Sequence, residues 1–183
     1  MRIIQVTADG QQVAVRLAGP YQIFGGIAAL QPGAYPATAE AQTDCVVLVW
    51  NSETMHHFFD RFPCIMRNML LLLSDQIQIL QDRLREMTTE RVERRIAHTL
   101  LRLVHHAGRK VQEGVLLDLP LTRQDLAELS GATLYTVSRI LSRWEAAGIV
   151  LSERQRIIVR VPHRLVAIAE DLPPLPAEND TPR

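Results

Sequence analysis

Apolar residues fall at every second position near the start of the chain. Ile4 and Val6 precede an Asp9-Gly10 pair, and Val13, Val15 and Leu17 follow it. A period of two puts alternate side chains on one face of a strand, and Asp-Gly suits a tight turn. The pattern predicts a β-hairpin. A stretch rich in Gly, Pro and Ala then runs from Gly19 to Ala41. The unbroken apolar run Cys45-Val46-Val47-Leu48-Val49-Trp50 predicts a further, more buried strand. Four or so short strands make a thin antiparallel β unit, and an independently stable barrel wants more.

Between residues 52 and 106 the period becomes helical. Ser52 reads as the N-cap of a short helix through Phe59 that stops before Pro63. Met66, Leu70, Leu73, Ile77, Leu80, Leu84 and Met87 follow at alternating spacings of four and three. That is a heptad seam sustained for about three heptads. One amphipathic helix packed on its own domain would also carry a stripe. Here Asp75, Gln76, Gln78, Gln81, Asp82, Arg83 and Arg85 flank it and keep it narrow. A narrow seam favours a two-helix coiled coil, so the helix is expected to form a homodimer interface. Thr89 is the expected cap of a new helix through His106, ended by Gly108. Residues 109–162 read as a second compact unit, and Leu172-Pro173-Pro174-Leu175-Pro176 as the opening of a disordered tail.

The segment 121–148 reads LTRQDLAELSGATLYTVSRILSRWEAAG. Thr122 and Asp125 have the spacing of a capping box, for a helix ending near Ser130. Gly131 supplies the turn, Thr133 caps a second helix through Ala147, and Gly148 closes it. Leu126, Leu129, Val137, Ile140, Leu141 and Trp144 can meet in one core. This is a helix-turn-helix, and a second helix of this kind fits the major groove. Its outward residues are Leu134, Tyr135, Ser138 and Arg139, with Thr133 and Thr136 placed for phosphates. Two apolar strands, Ile149–Ser152 and Ile157–Val159, flank Glu153-Arg154-Gln155-Arg156. Behind a helix-turn-helix that hairpin is a wing, whose Arg154 and Arg156 suit backbone phosphates.

Charge sharpens this reading. The 183 residues hold 20 basic and 20 acidic side chains, a formal net charge of zero. Residues 90–170 carry 13 basic against 9 acidic groups, while residues 1–89 carry 6 against 8 and the tail 1 against 3. The neutral total hides a basic C-terminal half, the electrostatic footprint of a nucleic-acid binder. Nineteen of the basic residues are Arg, which suits phosphate and guanine contacts.

Other chemistries find little support. No apolar run approaches the roughly 20 residues of a membrane span. Cys45 and Cys64 read as free thiols. His56-His57 and His105-His106 lack the i, i+4 spacing of a helical zinc site, so no metal is expected. There is no phosphate-binding loop, nucleophile elbow or metal-hydrolase motif, which argues against an enzyme.

The chain resembles the Crp/Fnr family of bacterial transcription regulators over about residues 1–169. The resemblance rests on Phe24-Gly25-Gly26-Ile27-Ala28-Ala29-Leu30, on Tyr35-Pro36-Ala37-Thr38-Ala39-Glu40-Ala41, on Arg94-Arg95-Ile96-Ala97-His98-Thr99-Leu100-Leu101 and above all on Leu121–Leu141. It implies an α+β protein in four parts. A partial cyclic-nucleotide-binding-like β-roll spans 1–62, a long dimerisation helix 63–88, a C-terminal winged helix-turn-helix 89–170 and a disordered tail 171–183. It further implies a bacterial cytoplasmic homodimer on palindromic double-stranded DNA, its half-sites about one helical turn or ~34 Å apart. RNA polymerase enters as a candidate partner. Signals in the β unit would rotate the DNA-binding domains about the junction near Thr88-Thr89.

Three departures from the family pattern carry expectations. The family has strands before the one that Met1–Thr7 resembles, which implies an N-terminally short β-roll with edges in need of cover. The cyclic-nucleotide cassette is degenerate. Gly26, after Gly25, stands where the ribose-binding Glu belongs, and Tyr35-Pro36 where the phosphate-binding Arg and its partner belong. A cyclic phosphate wants that Arg. No cofactor and no cyclic-nucleotide response are expected, and the effector is left open. On the recognition helix Arg139 matches the family's guanine-reading Arg, Ser138 matches the Fnr-like branch, and Tyr135 replaces a Glu. Tyr135, Ser138 and Arg139 are the expected base contacts. Thr122, Arg123, Thr133, Thr136, Arg154 and Arg156 are the expected backbone contacts. Two competing readings are a helix-turn-helix that docks a protein partner and a small-molecule-binding β-roll without a DNA role.

Overall fold

The computed structural model describes residues 1–26, 33–153 and 155–173. The chain divides into two units, Met1–Thr88 and Thr89–Arg183.

In the first unit the expected hairpin is present. Strands β1 (Arg2–Val6) and β2 (Gln12–Leu17) pair antiparallel, and β3 (Thr38–Glu40) pairs antiparallel with the other edge of β1. Thr7 sets the turn: its hydroxyl donates to Asp9, and its amide donates to the Gln11 carbonyl at 2.9 Å. Ile4, Ala14 and Ala18 form the small buried centre of this three-stranded sheet.

Helix α1 (Ser52–Arg61) is capped by Asn51, not by Ser52 as the sequence suggested. Asn51 is extended (ψ 167°) and its side chain accepts from the Thr54 amide at 2.8 Å, whereas Ser52 is already helical. Helix α2 (Pro63–Thr89) begins on a proline, whose missing N–H costs nothing in a first turn. It continues through both threonines at its end. The Thr88 hydroxyl donates back to the carbonyls of Leu84 and Arg85, which keeps that residue within the helix. Thr89 is therefore no cap, contrary to expectation. The chain breaks instead at Arg91, which is extended and makes no side-chain capping bond.

The run Cys45–Trp50 does not form the buried strand that its apolarity predicts. It has no strand pairing, and Val46 is 92% exposed. A strand needs a neighbour's ladder of hydrogen bonds and a face to pack on. The sheet of this unit, ordered β2-β1-β3, does not include this run.

The second unit is built around α3 (Val92–Ala107), a four-stranded sheet, α4 (Arg123–Ser130), α5 (Leu134–Ala146) and α6 (Pro162–Ala169). The sheet is ordered β4-β5-β7-β6, from β4 (Gly108–Val111), β5 (Gly114–Leu117), β6 (Val150–Glu153) and β7 (Arg156–Val159), all antiparallel. The hairpin β4–β5 and helix α6 are additions to the sequence reading. Gly114 sits at φ 139°, and a Cβ there would run into the Val159 carbonyl of the paired strand. Only glycine serves that crossing. Ile96, Leu100, Leu117, Leu121, Leu126, Val137, Leu141, Trp144, Ile157, Val159 and Leu165 form one continuous core. No helix among the described residues is long and apolar enough to cross a membrane.

Candidate nucleic-acid interface

The helix-turn-helix assembles from local chemistry. The Thr122 hydroxyl accepts from the Asp125 amide at 3.0 Å, and Asp125 Oδ2 accepts from the Thr122 amide at 3.0 Å, a closed capping box. Thr122 Oγ1 also donates to Asp125 Oδ2 at 2.6 Å. That hydroxyl has no proton left for a phosphate while the box stands. Gly131 ends α4 at φ 61°, a left-handed conformation that glycine adopts without strain. Thr133 then caps α5 by accepting from the Thr136 amide at 3.2 Å, and the two hydroxyls lie 2.9 Å apart.

α5 has two faces. Val137, Ile140, Leu141 and Trp144 are buried, and Leu126 and Leu129 from α4 are buried with them, so the expected core is present. On the other side Leu134, Tyr135 and Arg139 are exposed and Ser138 is half-buried. Tyr135 is 77% exposed. Positions 134, 135, 138 and 139 share one helical face, so this set of side chains stands free of the core.

The expected phosphate contacts separate. Thr133 is exposed and Thr136 half-buried beside it at the start of α5. Arg123, in the first turn of α4, lies 3.7 Å from Glu145. Arg156 is exposed on the wing, 3.8 Å from Glu153. Arg154 lies outside the described residues. Leu121, Thr122, Arg123, Ser152, Glu153 and Gln155 line an open cleft between the start of α4 and the wing.

Sequence reasoning missed the groups that hold these parts together. Glu145 Oε1 accepts from the Ser152 amide at 2.9 Å and so ties the wing to α5, while its other oxygen faces Arg123. An acid in a last helical turn opposes the helix dipole, and that was the available signal. Arg164 Nη1 donates to the Ala147 carbonyl at 3.2 Å and caps the end of α5.

In the first unit, the seam positions Leu70, Leu73, Ile77, Leu80, Leu84 and Met87 are exposed, and Met66 is half-buried. The stripe is therefore not used to pack α2 on its own domain. A different face does that. Arg83 Nη1 donates to the Val15 carbonyl at 3.0 Å, and Glu86 is buried. Met69 lies against Gly26, where a Cβ would come within 2.6 Å of the Met69 methyl.

The residues expected to form a degenerate cassette are partly drawn together. Gly25, at φ 71°, would bring a Cβ to 3.3 Å from the Tyr35 ring, and Pro36 follows in an exposed turn. Arg16 Nη2 donates to the Ile23 carbonyl at 3.2 Å, and burial lowers its pKa from the ordinary arginine value. Cys45 and Cys64 are free and exposed. His105 and His106 meet edge to face, and no group able to hold a metal is found among the described residues.

Comparison with known proteins matches both units. Residues 1–62 fit the cyclic nucleotide-binding domain, and residues 94–168 fit the Crp-like helix-turn-helix domain. The chain is 27% identical over 150 residues to the cyclic AMP receptor protein of Thermus thermophilus, covering 82% of this chain and 66% of that protein. It is 26% identical over 161 residues to the fumarate and nitrate reduction regulatory protein of Salmonella typhimurium, covering 88% and 63%. It thus spans about two thirds of the length of these curated relatives. Among solved structures, a CRP-family transcriptional regulator from Thermus thermophilus shares the fold, with a TM-score of 0.72 at 24% identity over 93% of this chain and 84% of that one. FixK2 from Bradyrhizobium japonicum shares it with a TM-score of 0.73 at 23% identity over 91% and 81%. With an N-terminal domain of the cyclic nucleotide-binding type and a C-terminal Crp-like helix-turn-helix, in that order, the chain belongs to the Crp/Fnr family of transcription regulators.

Proposed function

We propose that the chain is a DNA-binding transcription regulator that acts as a homodimer on a palindromic site and does not respond to cyclic nucleotides. The observation that carries DNA reading is the division of α5 into a buried apolar face and a free face of Tyr135, Ser138 and Arg139. Arg139 offers two parallel N–H groups to guanine O6 and N7. Tyr135 presents a phenol where a carboxylate would accept from a cytosine amine, so it favours a different base step. Thr133, Thr136, Arg123 and Arg156 serve the backbone, together with the first-turn amides of α4 that the Thr122 cap orients.

Dimerisation is supported by the exposed seam of α2. Six apolar side chains at heptad spacing remain in water in the single chain. Pairing with a second copy removes them from it.

The lack of a cyclic-nucleotide response is supported by the residues at the cassette. Gly26 has no carboxylate for a ribose hydroxyl, and Tyr35-Pro36 has no guanidinium for the phosphate. Any side chain at position 26 would have to displace the Met69 methyl.

The test has two arms. Selection from random duplexes should enrich a two-fold symmetric sequence, and affinity for it should fall steeply with salt. Calorimetric titration with cyclic AMP and cyclic GMP should show no binding. Failure to enrich any sequence refutes the DNA-reading role, and saturable cyclic-nucleotide binding refutes the effector reading.

A further inference from the structure

The first turn of α3 carries three consecutive charged side chains, and each grips a different element of the second unit. Glu93 reaches α5: its Oε1 accepts from the Trp144 indole N–H at 3.0 Å and lies 2.6 Å from Arg143 Nη2. Arg94 reaches the end of α6, where its Nε donates to the Ala169 carbonyl at 2.8 Å. Arg95 reaches the turn between α4 and α5. Its Nε donates to the Ser130 carbonyl at 3.1 Å and its Nη2 to the Gly131 carbonyl at 2.9 Å. The turn and the far end of the recognition helix are thus held from one place on α3.

We propose that Glu93 is a positioning residue for sequence reading, which sets the seating of the recognition helix α5 through Arg143 and Trp144 while Arg95 holds the turn before it. The inference rests on the DNA-reading role proposed above. Its physical basis is the difference between burial and hydrogen bonding. The apolar face of α5 fixes how deeply the helix sits, but the hydrophobic effect is non-directional and specifies rotation weakly. A hydrogen bond is directional. Residues 143 and 144 stand about 100° apart around the helix, at 3.6 residues per turn. One carboxylate oxygen that engages both therefore restrains rotation about the helix axis as well as sliding along it. A small rotation would carry Tyr135 and Arg139 sideways across a groove. Glu93 acts at the opposite end of α5, about 10 Å along the axis from the reading face at ~1.5 Å per residue. The Glu93–Arg143 pair is partly exposed, and such pairs add little to stability. Glu93→Ala also leaves the buried Trp144 N–H without its acceptor, which lowers folding stability, so discrimination is read as a ratio between two duplexes on the folded variant.

The experiment uses the full chain in a Trp50→Phe background, so that Trp144 is the sole indole. The probes are the duplex enriched by the wild-type sequence and an unrelated duplex at the same salt. In Glu93→Ala, Trp144 emission should shift. Affinity for the enriched duplex should fall about tenfold, while affinity for the unrelated duplex stays within about twofold. Glu93→Gln keeps an oxygen for the indole N–H and should recover part of the discrimination. Glu93→Ala that discriminates as well as its parent overturns the inference, and so does an equal loss on both duplexes, which marks a structural role alone. Should Glu93→Ala not fold, the same ratio is read in Glu93→Gln, where an unchanged value also overturns it. A parent protein that enriches no sequence refutes the DNA-reading proposal and this inference with it. A parent that enriches one while Glu93→Ala matches it refutes this inference only.

Discussion

Leu80→Ala separates the stability of the single chain from its self-association. Leu80 lies in the middle of the α2 seam and is 61% exposed in the single chain. Burying a whole leucine side chain is worth about 1.5–3 kcal/mol, so the part still exposed is worth about 1–2 kcal/mol if a second chain covers it. A two-fold interface contains the residue twice, which makes the expected loss about 2–4 kcal/mol per dimer. At ~1.4 kcal/mol per tenfold, the dimer Kd should rise about 30- to 700-fold. Folding of the single chain should hardly change, because alanine is the best helix former and Leu80 contributes little to the interior. The assay is sedimentation equilibrium over a dilution series, with thermal melts below the dissociation constant. A wild-type chain that stays monomeric at high concentration, or a variant Kd within about threefold of wild type, refutes the argument. So does a large drop in monomer melting temperature, which would place Leu80 in the core of its own domain. Leu126→Ala is the contrasting control: Leu126 is 0% exposed, and its loss should cost about 2–5 kcal/mol of folding stability.

Three further outcomes are expected. Arg139→Ala should weaken binding to an enriched duplex by about 1–3 kcal/mol and relax one base position while leaving a folded domain, as read by repeating the selection with the variant. Thr133→Ala removes the side chain that caps α5 and should lower the unfolding free energy in urea by about 0.5–2 kcal/mol; no change would mean that water caps the helix equally well. Gly114→Ala faces both a positive φ and the Val159 carbonyl, so it should destabilise the second unit by more than about 1 kcal/mol in denaturant titration, and a neutral result would contradict the β5–β7 crossing.

Much of the candidate interface was legible in sequence, for a physical reason. The Asp9-Gly10 hairpin, the Thr122–Asp125 box, the Gly131 turn and the Thr133 cap each depend on residues a few positions apart. The burial of one face of α5 follows from period alone. Cap positions elsewhere slipped: Asn51 replaced Ser52, and α2 ran on through Thr89. There the residue type permitted several caps, and backbone conformation chose one.

Amino-acid order by itself therefore determined the first hairpin, the long α2 and the helix-turn-helix with its wing, which face of α5 is left free and which stripe of α2 is apolar. Those properties repeat along the chain at the period of the element that bears them. Tertiary structure decided what each face meets. It left the α2 seam exposed and turned Met69 and Arg83 towards the β unit. It also left Val46–Trp50 without a strand partner, although apolarity predicts burial there. Above all it brought Glu93 to Trp144, Arg95 to the Gly131 turn and Glu145 to Arg123 and Ser152. A carboxylate and an indole 51 positions apart leave no periodic mark on a sequence. Their meeting is set by how α3 packs against the helix-turn-helix, and only the folded chain specifies that.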